Sequence, residues 1–176
     1  MKADIIHELD QVMNGHPWYG SSVTDILSQV DPSYAFEKIG EAHSMAELLL
    51  HMIAWTEEVT ARLRGKIGTD PDRGDWPAAQ GNSWPELIAE LQTAHKGLLS
   101  VINEVPEERM NDVVPYEEEL PAPVSFRQTL AGLAQHHAYH LGQIAILNRQ
   151  FKSDRTGMYS GSHIQEAITF TQFCRF

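Results

Sequence analysis

The sequence predicts an all-α protein, an antiparallel four-helix bundle with long loops and a C-terminal tail. Three observations predict it. Four segments carry apolar residues at helical spacing, and Ser-x-x-Glu or Ser-x-x-Gln capping signatures precede three of them. No strand pattern is strong enough to build a sheet around, and long connections suit a bundle. A larger orthogonal helical fold is the alternative. Residues 1–150 hold the bundle and 151–176 the tail, with no internal repeat.

The first helix covers roughly residues 2–13, with Ile5, Ile6, Leu9, Val12 and Met13 on one face and Asn14-Gly15 as its stop. His16-Pro17-Trp18-Tyr19-Gly20 makes an aromatic turn, followed by a short helix from about Ser22 to Gln29. The second long helix opens at Ser44, paired with Glu47, and runs through Met45, Leu48, Leu49, Met52, Ile53 and Val59 towards Gly65. A Gly/Asp/Pro-rich loop, residues 65–82, contains Asp75-Trp76-Pro77. The third opens at Ser83-Trp84-Pro85-Glu86, buries Leu87, Leu91, Ala94, Leu98 and Ile102, and stops at Pro106. Within the acidic stretch 107–124, Tyr116 to Leu120 can pair weakly as an extended segment. The fourth opens at Ser125 with Gln128 and runs to about Gln150 on a stripe of Leu130, Leu133, Ile144 and Leu147. The tail starts as a Gly/Ser-rich linker, and a short last helix with Ile168, Phe170 and Phe173 can follow Ser162.

Composition excludes several classes. The 176 residues suit one domain, and 42% hydrophobic with 21% charged residues is ordinary globular usage. No apolar run approaches the roughly 18–20 residues of a membrane span. The acids near the N-terminus do not suit a signal peptide, so the expected compartment is the cytoplasm. The single Cys174 leaves no internal disulfide. A net charge of −11 argues against nucleic acid as a partner. Arg62, Arg64 and Lys66 read as a helix C-terminal cap.

The chemistry sits in the histidines. His136, His137 and His140 fall within five residues of the fourth helix. His136 and His140 stand one turn apart, about 6 Å along the axis, on the apolar stripe. Two inward imidazoles either share a metal ion or form a hydrogen-bonded pair, since an unmet buried polar group costs about 1–3 kcal/mol. His51 lies in the most apolar part of the second helix, where it is either a satisfied core residue or a third ligand facing the pair across the bundle. His137 is rotated about 100° from His136, towards a supporting or an exposed position. Gln143, one turn after His140, either bonds a metal-bound water or is a surface amide. His7, His95 and His163 read as solvated or partly packed, His43 as a loop residue, and His16 as a loop residue near a pocket mouth. All four tryptophans, Trp18, Trp55, Trp76 and Trp84, read as packing residues rather than ligand contacts, with Trp18 and Trp55 the two that stand beside candidate site segments.

Taken together, the segments Gly15–Gly20, Ser44–Trp55, Asp75–Pro77 and His136–Ile144 resemble the DinB-like, YfiT-like superfamily over about residues 1–150. The most specific parts are His51 followed by Ala54-Trp55, and His-x-x-x-His followed by Leu141-Gly142-Gln143-Ile144. The resemblance implies a four-helix bundle, often dimeric, holding a divalent metal on His51, His136 and His140. It also implies metal-dependent hydrolysis or transfer of a low-molecular-weight thiol. Many relatives carry an acid where this chain has His137, so any role of that acid does not carry over.

A three-histidine set leaves coordination positions open, as catalytic sites do, and such a metal acidifies bound water or a thiol. Zinc or nickel heads the candidates, with manganese, iron or cobalt also compatible. The expected function is a metal-dependent hydrolase or thiol transferase acting on a small molecule. The alternatives are a non-catalytic metal-binding or sensing bundle, and an interaction module without metal.

Overall fold

The computed structural model describes residues 2–116 and 122–156. Its helices are α1 (Lys2–Asn14), α2 (Val23–Ser28), α3 (Met45–Leu63), α4 (Trp84–Glu104) and α5 (Phe126–Thr156), with a short 3-10 helix at Glu107–Asn111. No strand forms among the described residues, and none of their helices is long and apolar enough to cross a membrane. The proposed last helix, His163 and Cys174 lie outside the described residues.

The expected starts are present. Ser22 and Asp25 cap α2 reciprocally, and Ser44 and Glu47 do the same for α3. At α5, the Ser125 N–H donates to Gln128 Oε1 (2.8 Å) and the Gln128 N–H returns to Ser125 Oγ (3.3 Å). At α4, both the N–H and the hydroxyl of Ser83 donate to Glu86 Oε2.

α3 is the central helix, with fifteen of its nineteen residues buried. It packs against α4 and α5, while α1 packs against α2, α4 and α5. The shared core includes Leu9 and Met13 of α1, Leu49, Met52 and Ile53 of α3, Leu91 and Leu98 of α4, and Leu130 and Ile144 of α5. A helix buried on nearly all sides must satisfy its polar groups internally. Thr56 and Thr60 do so by donating to the carbonyls of Met52 and Thr56, one turn back.

Arg62 does not serve as the expected helix cap. Gly65, at φ 103°, ends α3 instead: its N–H bonds Arg62 O, and the Lys66 N–H bonds Ala61 O. Arg62 Nε donates to the buried Glu58 Oε1 (2.9 Å), and Lys66 Nζ donates to Glu58 Oε2 (2.6 Å). The guanidinium also donates to Tyr116 Oη (2.8 Å) and Thr69 O (2.7 Å). With that side chain committed inward, only Arg64 of the trio stays exposed.

The expected extended segment amounts to one parallel bridge between Gly68 and Tyr116, with residues 117–120 outside the described set. Gly68 is there because nothing larger fits: a Cβ would lie 2.7 Å from the Tyr116 ring. Gly68→Ala must therefore push Tyr116 off Arg62, a loss of about 1–3 kcal/mol for a charged hydrogen bond. Thermal melts should show that destabilisation, and a Tyr116→Ala background should shrink it. Equal melting temperatures for wild type and Gly68→Ala would contradict the account.

α5 runs six residues past the expected end at Gln150. No glycine or proline interrupts 151–156, and Phe151 stacks on Tyr34 with ring centroids 5.6 Å apart.

Candidate metal centre

His51 on α3 meets His136 and His140 on α5. One nitrogen from each lies within 4.8 Å of the others, a group that can hold a metal ion. The ring centroids of each pair are 4.5–4.8 Å apart. His51 and His140 are buried and His136 is nearly so.

The neighbours decide which nitrogens are free. His51 Nδ1 lies 2.6 Å from the backbone oxygen of Asp75. A carbonyl only accepts, so His51 carries its proton on Nδ1 and turns the Nε2 lone pair inward. His140 Nδ1 lies 2.6 Å from Gln143 Oε1, which fixes the same tautomer. His136 Nε2 stands 2.8 Å from His51 Nε2, and its own Nδ1 is buried without a partner. Either His136 gives its Nε2 proton to His51, or it carries the proton on Nδ1 and both Nε2 lone pairs face one cation; Nδ1 has no partner in either case. A set of converging imidazole lone pairs, two of them held by oxygen acceptors behind the ring, is the donor chemistry that suits a divalent transition metal.

Electrostatics keeps these donors unprotonated. Burial pushes His136 down to about 2, helped by the neighbouring charges of His140, His137 and His51. Burial likewise lowers His140 to about 4, against the opposing hydrogen bond to Gln143. Burial also lowers His51, although the Asp75 carbonyl and carboxylate pull the other way.

The 65–82 loop supplies the wall beside His51. Arg73 ties this loop to Glu57 of α3 (3.0 Å) and Glu90 of α4 (2.8 Å). Next to it, Asp75 Oδ1 accepts from Trp55 Nε1 (2.7 Å). Trp76 then stacks on His51, with centroids 4.0 Å apart and planes 8° from parallel. On Trp76 lies His43, at 3.7 Å and 2°.

Several expectations change. His137 is buried on α5 but is not in the cluster: its Nε2 lies 3.1 Å from Thr56 Oγ1, whose own proton goes to Met52 O. Burial holds it down to about 3. Because α5 touches α1, α2 and α3, its buried arc is wider than one stripe, and it takes in His137 and Leu141. His95 is buried rather than solvated, with Nε2 lacking a hydrogen bond and the Asp10 carboxylate 3.8 Å away. The spacing Leu91, His95, Leu98, Ile102 already carried that signal. Trp18 and His16 are exposed on the surface. Trp55 reaches the cluster, edge-on to His51 and His136 at 6.4 and 6.3 Å. Trp76 and His43, read as packing and loop residues, turn out to flank it. The repeated aromatic–His stacking needed the loop's path, which periodicity does not encode.

Comparison with known proteins agrees with the geometry. No curated protein matches the chain. The family model of the DinB superfamily matches residues 22–144, about two thirds of the chain and inclusive of all three clustered histidines. With that match on an all-helical bundle, the chain belongs to the DinB superfamily.

Proposed function

We propose that this protein binds a divalent metal through His51, His136 and His140, and that it is a metal-dependent enzyme acting on a small molecule. The observation that carries the reading is the convergence of three neutral imidazoles, two of them locked by Asp75 O and Gln143 Oε1 into the tautomer that points Nε2 inward. Zinc or nickel suits such a set best. When bound, the ion supplies Lewis acidity and lowers the pKa of a coordinated water or thiol.

The chain's own residues do the rest. Gln143 Oε1 holds the proton on His140 Nδ1 from behind the ring. Trp55 and Trp76 shield the imidazoles from bulk water on the loop side. Hydrolysis and transfer of a low-molecular-weight thiol use the same three histidines. A non-catalytic metal-binding bundle is the rival reading. A homodimer is the expected assembly from the family resemblance.

The deciding measurement is metal content after purification without a histidine tag. Wild type is expected to carry roughly equimolar metal, and His51→Ala to carry essentially none. Absence of metal from wild type even after reconstitution sinks the proposal. Turnover with bacillithiol, mycothiol, glutathione or coenzyme A and an electrophile, compared with ester and amide substrates, then separates transferase from hydrolase. A loaded protein inert to every substrate supports the non-catalytic rival.

A further inference from the structure

The three-ring stack at the edge of the cluster carries an inference of its own, resting on the metal reading above. His43 and His51 are both within 4.0 Å of the Trp76 ring and within 8° of parallel to it. Two rings so close to one centroid cannot lie side by side, so they occupy opposite faces of the indole. Trp76 therefore has no free face on which to stack a substrate.

An aromatic residue sealed in this way has a different use. The contacts of His51 with Asp75 O (2.6 Å), Asp75 Oδ1 (3.3 Å) and His136 Nε2 (2.8 Å) all lie at the ring's edge, where they act on its nitrogens and do not cover its faces. The Trp76 indole, stacked at 4.0 Å and 8° from parallel, adds a flat surface against one face and so resists tilting of the ring plane. The indole is itself held: Asp75, the preceding residue, is anchored by Trp55, and His43 backs the far face from the residue before the α3 cap. His43 is in turn 3.5 Å from Glu47 Oε2, the carboxylate that closes that cap. The ring centroids of Trp76 and His140 are also 6.0 Å apart, with planes 85° from parallel, so the same indole borders two of the three histidines. Groups behind a metal ligand commonly change metal affinity by 10–100-fold when removed, and aromatic stacking contributes beyond area burial.

We propose that Trp76, backed by His43, is a positioning residue that sets the ring plane of His51 for metal binding.

The test compares wild type, Trp76→Leu, Trp76→Phe and His43→Ala, each titrated with zinc against a chelator and with cobalt followed by visible absorption. Trp76→Leu is expected to weaken zinc binding roughly 10–100-fold and to shift the cobalt ligand-field bands. Trp76→Phe keeps a flat ring and is expected to restore the wild-type spectrum and most of the affinity. His43→Ala is expected to fall between them. A merely structural role lowers the folded fraction but leaves the spectrum of the bound cobalt unchanged. If wild type binds metal and Trp76→Leu matches it in affinity and spectrum, this inference is overturned and the metal reading stands. A wild type that binds neither ion overturns both. Should Trp76→Leu not fold, the decision passes to His43→Ala: an altered cobalt spectrum supports the inference, and an unaltered one with wild-type affinity overturns it.

Discussion

Glu58→Ala is expected to destabilise the protein by about 3–5 kcal/mol. The reason is the company Glu58 keeps. Its side chain is 1% exposed and that of Arg62 is 5% exposed, so solvent does not screen the pair. Burial works to raise the Glu58 carboxyl, but hydrogen bonds from Lys66, Arg62 and the Thr69 N–H outweigh it and hold the group below its ordinary value. Removing the carboxylate leaves the guanidinium buried, still tied to Tyr116 and Thr69 O but without a counter-charge. The same guanidinium lies over the Trp55 ring at 5.6 Å, so the disturbance reaches the residue that anchors Asp75. Urea unfolding at pH 7 gives the measurement. A double variant, Glu58→Leu with Arg62→Met, should recover much of the loss, since a buried pair replaced by apolar groups is often neutral. A Glu58→Ala cost below about 1 kcal/mol, the range of an exposed pair, would contradict the buried-pair account.

Acidification should weaken the metal-free fold well before the carboxylates titrate. The folded-state values of His137 and His140 lie at about 3 and about 4, below the usual 6.5, and burial is the main cause in both. For such a group the unfolded chain takes up the proton first as pH falls. Stability is therefore complete above about pH 6.5 and declines below it, until the folded group also protonates. Between pH 6.5 and pH 5 the fully buried His137 alone removes on the order of 2 kcal/mol. Urea titrations in chelator at pH 7, 6 and 5 should show falling stability, with a shallower slope for His137→Gln. A flat profile over this window would mean that these histidines take up protons in the fold as readily as in the unfolded chain. Saturating metal should stabilise the protein at pH 7, because an ion that binds only the folded state adds its binding energy to folding.

Much of this was legible along the chain. Helix starts are local events, set by a serine and the residue three places on, and Ser22, Ser44 and Ser125 behave as that rule requires. The pairing of His136 with His140 is equally local, since one helical turn brings them together. Failures came where a residue's environment depends on the number of neighbours its helix has. A single apolar stripe describes a helix with one partner, and α5 packs against α1, α2, α3 and the 3-10 helix, so of the two positions open to His137 the exposed one is not taken. His95 is buried on the Leu91–Leu98 stripe beside Ala94. α5 continues past Gln150, where Phe151 stacks on Tyr34, a long-range contact that spacing along the chain does not record.

The sequence by itself determined the helices, their caps and the three histidines that share inward faces, because hydrogen-bond geometry and periodicity act over four residues or fewer. Only the tertiary structure decided that His51 and His136 stand 2.8 Å apart across 85 positions, and that the Asp75 carbonyl and Trp76 ring hold His51 from a loop. Only it decided the tautomers too, since these depend on which oxygen packing brings behind each ring. Contacts of that kind follow from how elements pack in three dimensions, which one-dimensional spacing does not record.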